Sequence, residues 1–307
     1  MSKPQFRLSH LDPQQHAELH ALTRPRQWSW PTIALWVLVV GGYASSYLGS
    51  FAGWIPLWLG CVVNSALGYF AFTIVHDSIH RAICRNKRLN DWIGQSAVSL
   101  GAPYISLELF RWAHLQHHRF ANGPGDPDAV LHGPAWSLPL RWMVIDLWYL
   151  RHVLRSPDPL ARQYLRRSLP LAIGTALLFG ALLLGGYGWH LLMLWFIPSR
   201  LLFIALGFAF FWLPHVPHDT PQADNFTQAT TVRIGHEWLL GPALQAQNYH
   251  LIHHLYPTTP FYNNYKVWKL LEPELRGYDL SIQRGFAIQP ERLAGRSTAA
   301  ADSLSRA

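Results

Sequence analysis

Apolar residues concentrate in four runs. Pro31–Gly49, PTIALWVLVVGGYASSYLG, carries no charge, and a short turn around Ser50–Gly53 leads into Trp54–Val75, also uncharged. Leu169–Tyr187 is a third uncharged run. After Gly188 comes Leu191–Leu213, interrupted only by Arg200. Each is long enough for a helix to cross a hydrocarbon core, which takes about 20 residues. Buried helices of a soluble core reach this length too, but four of them, paired with almost no loop between partners, are hard to fit in one. The pattern predicts an all-α integral membrane protein with four transmembrane helices in two hairpins. A helical cap made from 76–167 and 214–285 tops them, and Leu89–Leu107 reads as an interfacial or partly re-entrant helix. Arg200 is expensive in mid-span unless it faces protein, water or an anion. A break in the helix after Pro198 is preferred here to contact with a polar group of a substrate.

Composition agrees. Of 307 residues, 50% are hydrophobic and only 14% charged, against roughly 25% in an ordinary soluble domain. The basic residues set an orientation. Arg81, Arg85, Lys87, Arg88, Arg111, Arg119, Arg141, Arg151, Arg155, Arg162, Arg166 and Arg167 lie between the second and third runs. Lys3, Arg7, Arg24 and Arg26 precede the first, and the turns inside each hairpin have no Lys or Arg. The positive-inside rule then places both termini and the cap in the cytoplasm, at the inner (cytoplasmic) membrane. The net charge of +8 reads as contact with anionic headgroups; nucleic acid fits less well, because the basic residues hug the membrane ends. Residues 1–29 form an N-terminal cytoplasmic arm without the short apolar core of a signal peptide. Residues 30–285 form the membrane domain, and 286–307, rich in Ala, Ser and Arg, a disordered tail. Cys61 and Cys84 offer neither a disulfide framework nor a zinc-thiolate motif.

The chemistry lies in the 17 histidines. His76 and His80 form HDSIH at the exit of the second run. His114, His117 and His118 form HLQHH, His215 and His218 lie in LPHVPHD after the fourth run, and His250, His253 and His254 form HLIHH. On a helix, positions i, i+3 and i+4 share a face, so HxxxH offers two imidazoles one turn apart and HxxHH three on one stripe. A lone HxxxH is as easily structural as functional; two HxxHH clusters beside it are not decoration. Neutral imidazole suits zinc, copper, iron and nickel, and eight or nine imidazoles exceed one ion's needs but match two. His10, His16, His20, His132, His152, His190 and His236 lack the spacing and read as surface or core residues. His218 stays open as an alternative to His215, a supporting partner, or neither. Asp77, Asp126, Asp128 and Asp219 are candidates for orienting the rings, with turn or helix-surface acids as the plainer reading. GPGDPD at 123–128 reads as a turn.

The stretches HDSIHR, HLQHHRFANGPGDPD, WLPHVP and QNYHLIHHLYPTTPFYN resemble the membrane fatty acid desaturase superfamily over roughly residues 30–280. Within it the likeness is greatest to the cyanobacterial-type β-carotene hydroxylases, and the carotenoid ketolases look similar around WFIPS, WLPHVP and HHLYPTTP. The resemblance implies a histidine-rich di-iron site with two Fe ions at the cytoplasmic face and O2 as co-substrate. It carries the ligand role to His76, His80, His114, His117, His118, His215, His250, His253 and His254. One departure stands out. Acyl-CoA desaturases place an Asn one turn before the isolated histidine, where this chain has Phe211.

The function implied is attack on an unactivated C–H bond of a lipid-soluble substrate from the bilayer. The cofactor carries such chemistry and the protein positions the substrate. The first choice is hydroxylation of the β-ionone ring of a carotenoid; the alternative is a fatty acyl desaturase or hydroxylase with the same site. A membrane zinc hydrolase is a distant alternative. Zinc catalytic sites take three protein ligands and an open position, and HExxH is absent. The sequence holds no nicotinamide, flavin or haem-attachment motif, so electrons are expected from an external donor such as ferredoxin on the basic face.

Overall fold

The computed structural model describes residues 11–295. His10, Lys3, Arg7 and the part of the expected tail from 296 onward lie outside the described residues. The chain divides into two compact units. One is Arg26–Gln116 with Val130–Phe208; the other is Met1–Pro25, His117–Ala129 and Ala209–Ala307.

The first unit holds the apolar helices: α2 (Trp30–Phe51), α3 (Leu57–Ile79), α8 (Pro159–Leu184), then α9 (Gly188–Leu191) and α10 (Ile197–Leu206). α1 (Pro13–Thr23) belongs to the other unit. From Gly188 the helix runs without interruption to His215, passing through π-helical turns at Leu192–Phe196 and Gly207–Trp212. The four apolar stretches are 22, 23, 26 and 28 residues long, so at 1.5 Å per residue each exceeds a core of about 30 Å. α2 and α3 pack together across the turn 52–56. Their outer ends are tied by Thr32, whose hydroxyl donates to Asp77 Oδ2 at 2.8 Å, and their middles approach closely at Gly68, where an added Cβ would meet Tyr43 Oη at 2.8 Å.

Two short helices, α6 (Leu138–Met143) and α7 (Ile145–Arg155), explain Arg200. The expected break after Pro198 is not found. Pro198 sits in the first turn of α10, where its missing N–H costs nothing. The guanidinium is instead paired within the protein: Nη2 lies 3.1 Å from Asp146 Oδ2, and Nη1 donates to Met143 O at 3.1 Å. Tyr104 closes the cluster by donating its hydroxyl to Asp146.

Between α3 and α6 lie α4 (Lys87–Gly101) and α5 (Leu107–Phe120). The stretch expected as one helix over 89–107 ends at Gly101. Pro103 and the turn at 102–106 separate it from α5, whose first turn is capped by Ser106 Oγ accepting from Leu109 N at 3.2 Å.

The second unit is not all-α. A three-stranded sheet, ordered β1 (Thr231–Ile234), β2 (Leu280–Arg284), β3 (Glu291–Leu293), pairs β1 and β2 in parallel, Thr231 opposite Ser281, and β2 and β3 antiparallel. α11 (Glu237–Ala243), α12 (His250–Leu255) and α13 (Asn264–Leu275) fall between β1 and β2. Val232 and Ile282 from the strands meet Leu251 and Ile252 of α12 and Val267, Trp268, Leu271 and Leu275 of α13 in one core. Two boundaries move accordingly. The N-terminal arm contributes α1, whose Leu19 and Leu22 enter that core, with Asn263 donating to Leu22 O at 3.0 Å. β3 lies past residue 285, so ordered structure runs into the expected tail.

Candidate metal centre

In the first unit, α3 ends in HDSIH. The ring centroids of His76 and His80 are 5.1 Å apart. His114 on α5 completes a near-equilateral triangle, 5.1 Å from His76 and 5.0 Å from His80. His80 Nε2 and His114 Nε2 are 3.0 Å apart, and all three residues are buried. Arg111, one turn before His114, holds this geometry. Its Nε donates to Ile79 O at 2.9 Å and its Nη2 to Ser78 O at 3.0 Å, satisfying carbonyls at the end of α3 that have no partner within the helix. The same guanidinium pairs with Asp91 of α4 at 2.5 Å. α4 is fixed in turn by Ser78 Oγ donating to Asn90 O at 2.8 Å and by Gly94, where a Cβ would fall 2.0 Å from Ser78 Oγ.

The second unit holds the other six. In HLIHH, Leu251 and Ile252 point into the core, so His250, His253 and His254 share the opposite stripe of α12. His215 Nε2 lies 2.9 Å from His250 Nε2, His254 Nε2 lies 3.1 Å from His250 Nε2, and His253 Nε2 lies 2.8 Å from His118 Nε2. His117, His215, His250 and His254 each offer a ring nitrogen within 4.8 Å of the others. The sheet anchors the turn before His215: Gln283 Nε2 donates to Leu213 O at 3.1 Å. The turn 123–128 delivers Asp126 and Asp128, with Asn122 N donating to Asp126 Oδ2 at 2.8 Å.

The outer nitrogens decide what the inner ones can do. His250 Nδ1 lies 2.6 Å from Gln247 Oε1, and His254 Nδ1 lies 3.1 Å from Gln222 Oε1. His117 Nδ1 is 3.0 Å from Asp126 Oδ1 and 3.1 Å from Asp128 Oδ2. Gln247, Gln222 and Asp126 accept, so each Nδ1 carries the proton, and on His250 and His254 the Nε2 is left presenting its lone pair. Bare lone pairs facing one another at about 3 Å in a buried site repel; a cation among them turns repulsion into ligation. Burial pushes the pKa of His117 down, but Asp126 and Asp128 pull harder and bring it up to about 9. The acid pair thus favours positive charge on this ring. The residues present fit a histidine-ligated transition metal.

Among the predicted supporting acids, Asp126 and Asp128 meet His117, Asp77 accepts from Thr32, and Asp219 lies on the surface beside Arg292 and Thr220. His218 is in none of the candidate metal groups and packs against Trp212, ring centroids 5.8 Å apart. His190, His236 and His152 stack or tilt against Phe51, Phe286 and Trp112. Phe211 is buried in the second π-helical turn. Gln222, Gln247 and Arg111 were missed by the sequence reading. The only signal for Gln247 was its position three residues before His250; Gln222, 32 residues from its partner, left none.

A family model described as fatty acid desaturase matches residues 52–286. A β-carotene ketolase from a Paracoccus strain is 28% identical over 247 residues, covering 80% of this chain and 86% of the relative. A second Paracoccus β-carotene ketolase is 30% identical over 62% of this chain and 70% of its own length. The sn-1 oleoyl-lipid 12-desaturase of Arthrospira platensis is 26% identical over 76% of this chain and 73% of its own.

Proposed function

From its membership of the fatty acid desaturase family, we propose that this chain is a di-iron membrane oxygenase that hydroxylates an unactivated ring C–H of a carotenoid. The chain is an O2-dependent oxidoreductase and an integral membrane protein; the metal, its ligands, the substrate and the product are our reading. The observation that carries it is the set of buried Nε2 atoms turned toward one another, each held by an acceptor at Nδ1 where one is identified. We assign His76, His80 and His114 to one iron and His117, His215, His250 and His254 to the other, with His118 and His253 as further donors. The first of the ketolase relatives supports a carotenoid over an acyl chain, since the match spans 86% of its length against 73% of the desaturase's.

Iron bound there would supply O2 activation and C–H cleavage. The overall step is R–H + O2 + 2 electrons + 2 protons → R–OH + H2O. A second round on the same carbon would give a geminal diol and, by loss of water, a ketone, so hydroxylase and ketolase share their first step. The protein's contribution is orientation. Gln247, Gln222 and Asp126 fix ring tautomers, Asp128 adds a second negative charge beside His117, Arg111 locks α5 to α3, and burial keeps water from the site. An external carrier such as ferredoxin supplies the electrons in this reading, and the site faces the cytoplasm by the distribution of Lys and Arg. A zinc hydrolase has no support in the family membership.

The test is pigment and lipid analysis of a β-carotene-producing bacterium expressing the chain beside a His253→Ala control. New hydroxylated carotenoid, absent in the control, is expected. Ketone without alcohol moves the assignment to a ketolase. Unchanged pigment with altered acyl chains moves it to a desaturase or hydroxylase of lipids.

A further inference from the structure

Helix α8 presents a feature the oxygenase reading does not use. Its first turns form a cavity of about 490 Å³ lined by Arg162, Arg166, Arg167, Gln163, Pro157 and Pro159. Arg167 pairs with Glu108 at 3.1 Å. Arg162 and Arg166 are exposed and have no acidic partner among the described residues. The nearby carboxylates are engaged: Asp158 accepts from Leu160 N at 2.9 Å and Trp112 Nε1 at 2.8 Å, and Glu108 holds Arg167. Two free guanidiniums with no carboxylate to spare select an anion, and their forked donors match phosphate oxygens.

The rest of α8 says where that phosphate comes from. At about 100° per residue, Arg162, Arg166, Leu169, Ile173, Leu177 and Leu184 fall within an arc of about 80°. The apolar members are all exposed, Leu177 at 70% and Leu184 at 93%, and only 6% of the helix's apolar window is buried. Arg166 precedes Leu184 by 18 residues, about 27 Å of rise, close to the thickness of the hydrocarbon core. The arginines therefore stand at headgroup depth and the leucines beneath them line the path of an acyl chain. We propose that this stripe is a binding site for one anionic glycerophospholipid, the phosphodiester on Arg162 and Arg166 and an acyl chain along Leu169, Ile173 and Leu177.

The test is native mass spectrometry of the full chain released from mixed micelles of phosphatidylcholine and phosphatidylglycerol. One phosphatidylglycerol should stay bound per chain. Arg162→Gln with Arg166→Gln should weaken its retention about twenty-five-fold, from roughly fivefold per arginine, with unfolding temperature unchanged. Arg151→Gln with Arg155→Gln, which removes the same charge, should leave retention unchanged. Equal loss in both double variants would show bulk charge attraction and overturn the site. Displacement by excess inorganic phosphate would make it a free-phosphate site and overturn the lipid assignment. Unchanged lipid retention with lost electron uptake from an acidic carrier would reassign the arginines to docking.

Discussion

Gln247 gives the sharpest test of the ring-orientation argument. Its Oε1 accepts from His250 Nδ1 at 2.6 Å, with the residues 3% and 2% exposed. Gln247→Leu keeps the volume and removes the acceptor. The imidazole then has two options. It can keep the proton on Nδ1, leaving a buried donor unsatisfied at about 1–3 kcal/mol. Or it can move the proton to Nε2, which silences the nitrogen that faces His215 and His254. Either route weakens the metal site by a similar amount, since loss of such a partner costs roughly 10- to 100-fold in affinity, or about 1.4–2.8 kcal/mol at 1.4 kcal/mol per decade. The assay is iron retained per chain, by elemental analysis, against rising chelator concentration. The midpoint for Gln247→Leu should fall by one to two decades, and Gln247→Glu, which keeps an acceptor, should restore it. Wild-type retention in Gln247→Leu would refute the claim that Gln247 fixes His250.

Other perturbations follow from the same geometry. Arg111→Met removes two donors to the end of α3 and the partner of Asp91, so thermal unfolding in detergent should show a loss of about 2–4 kcal/mol, with iron content reduced as well. Asp126→Ala with Asp128→Ala strips the acceptors from His117, and iron retention should drop at least tenfold while helix content by circular dichroism stays at the wild-type level. Arg200→Met should cost about 3–5 kcal/mol by stranding Asp146; adding Asp146→Leu should recover much of it, and failure to recover would count against the pair. Gly94→Ala forces a methyl onto Ser78 Oγ, costing about 1–3 kcal/mol, and adding Ser78→Gly should relieve it.

The spans were legible because twenty uncharged residues in a row have few other uses. Their ends were less so. α8 begins at Pro159, ten residues before the expected Leu169, because charge marks where a bilayer ends and not where a helix does; Arg162 to Arg167 are helical but polar. The second span begins at Leu57 and not Trp54, since Trp54 N and Ile55 N donate to Gly49 O and Pro56 caps the new helix. The break read into Arg200 came from judging a charge without its partner. Asp146 lies 54 positions away, and no local pattern announces such a pair. The sheet escaped for a related reason. β1 and β2 are 4 and 5 residues long and almost wholly buried, so they lack the alternation that betrays a half-exposed strand, and they pair across 50 positions.

The histidine boxes were legible because helical spacing is a local property: i, i+3 and i+4 put rings on one stripe whatever surrounds them. Which rings become donors is not local. That depends on the atom behind each ring, and the structure shows three different suppliers. A glutamine three residues away serves His250, a glutamine from a loop 32 residues away serves His254, and a pair of aspartates from a turn serves His117. Chemically these differ in charge. The amides fix tautomer without adding charge, whereas the carboxylates also draw positive charge to His117. Exchanging the two kinds separates the roles. Asp126→Asn should keep an acceptor at Nδ1 yet lose most of the electrostatic pull, so iron retention should fall less in that variant than in Asp126→Ala. Equal losses would assign the whole effect of Asp126 to charge, and an undiminished Asp126→Asn site would assign it to ring orientation alone.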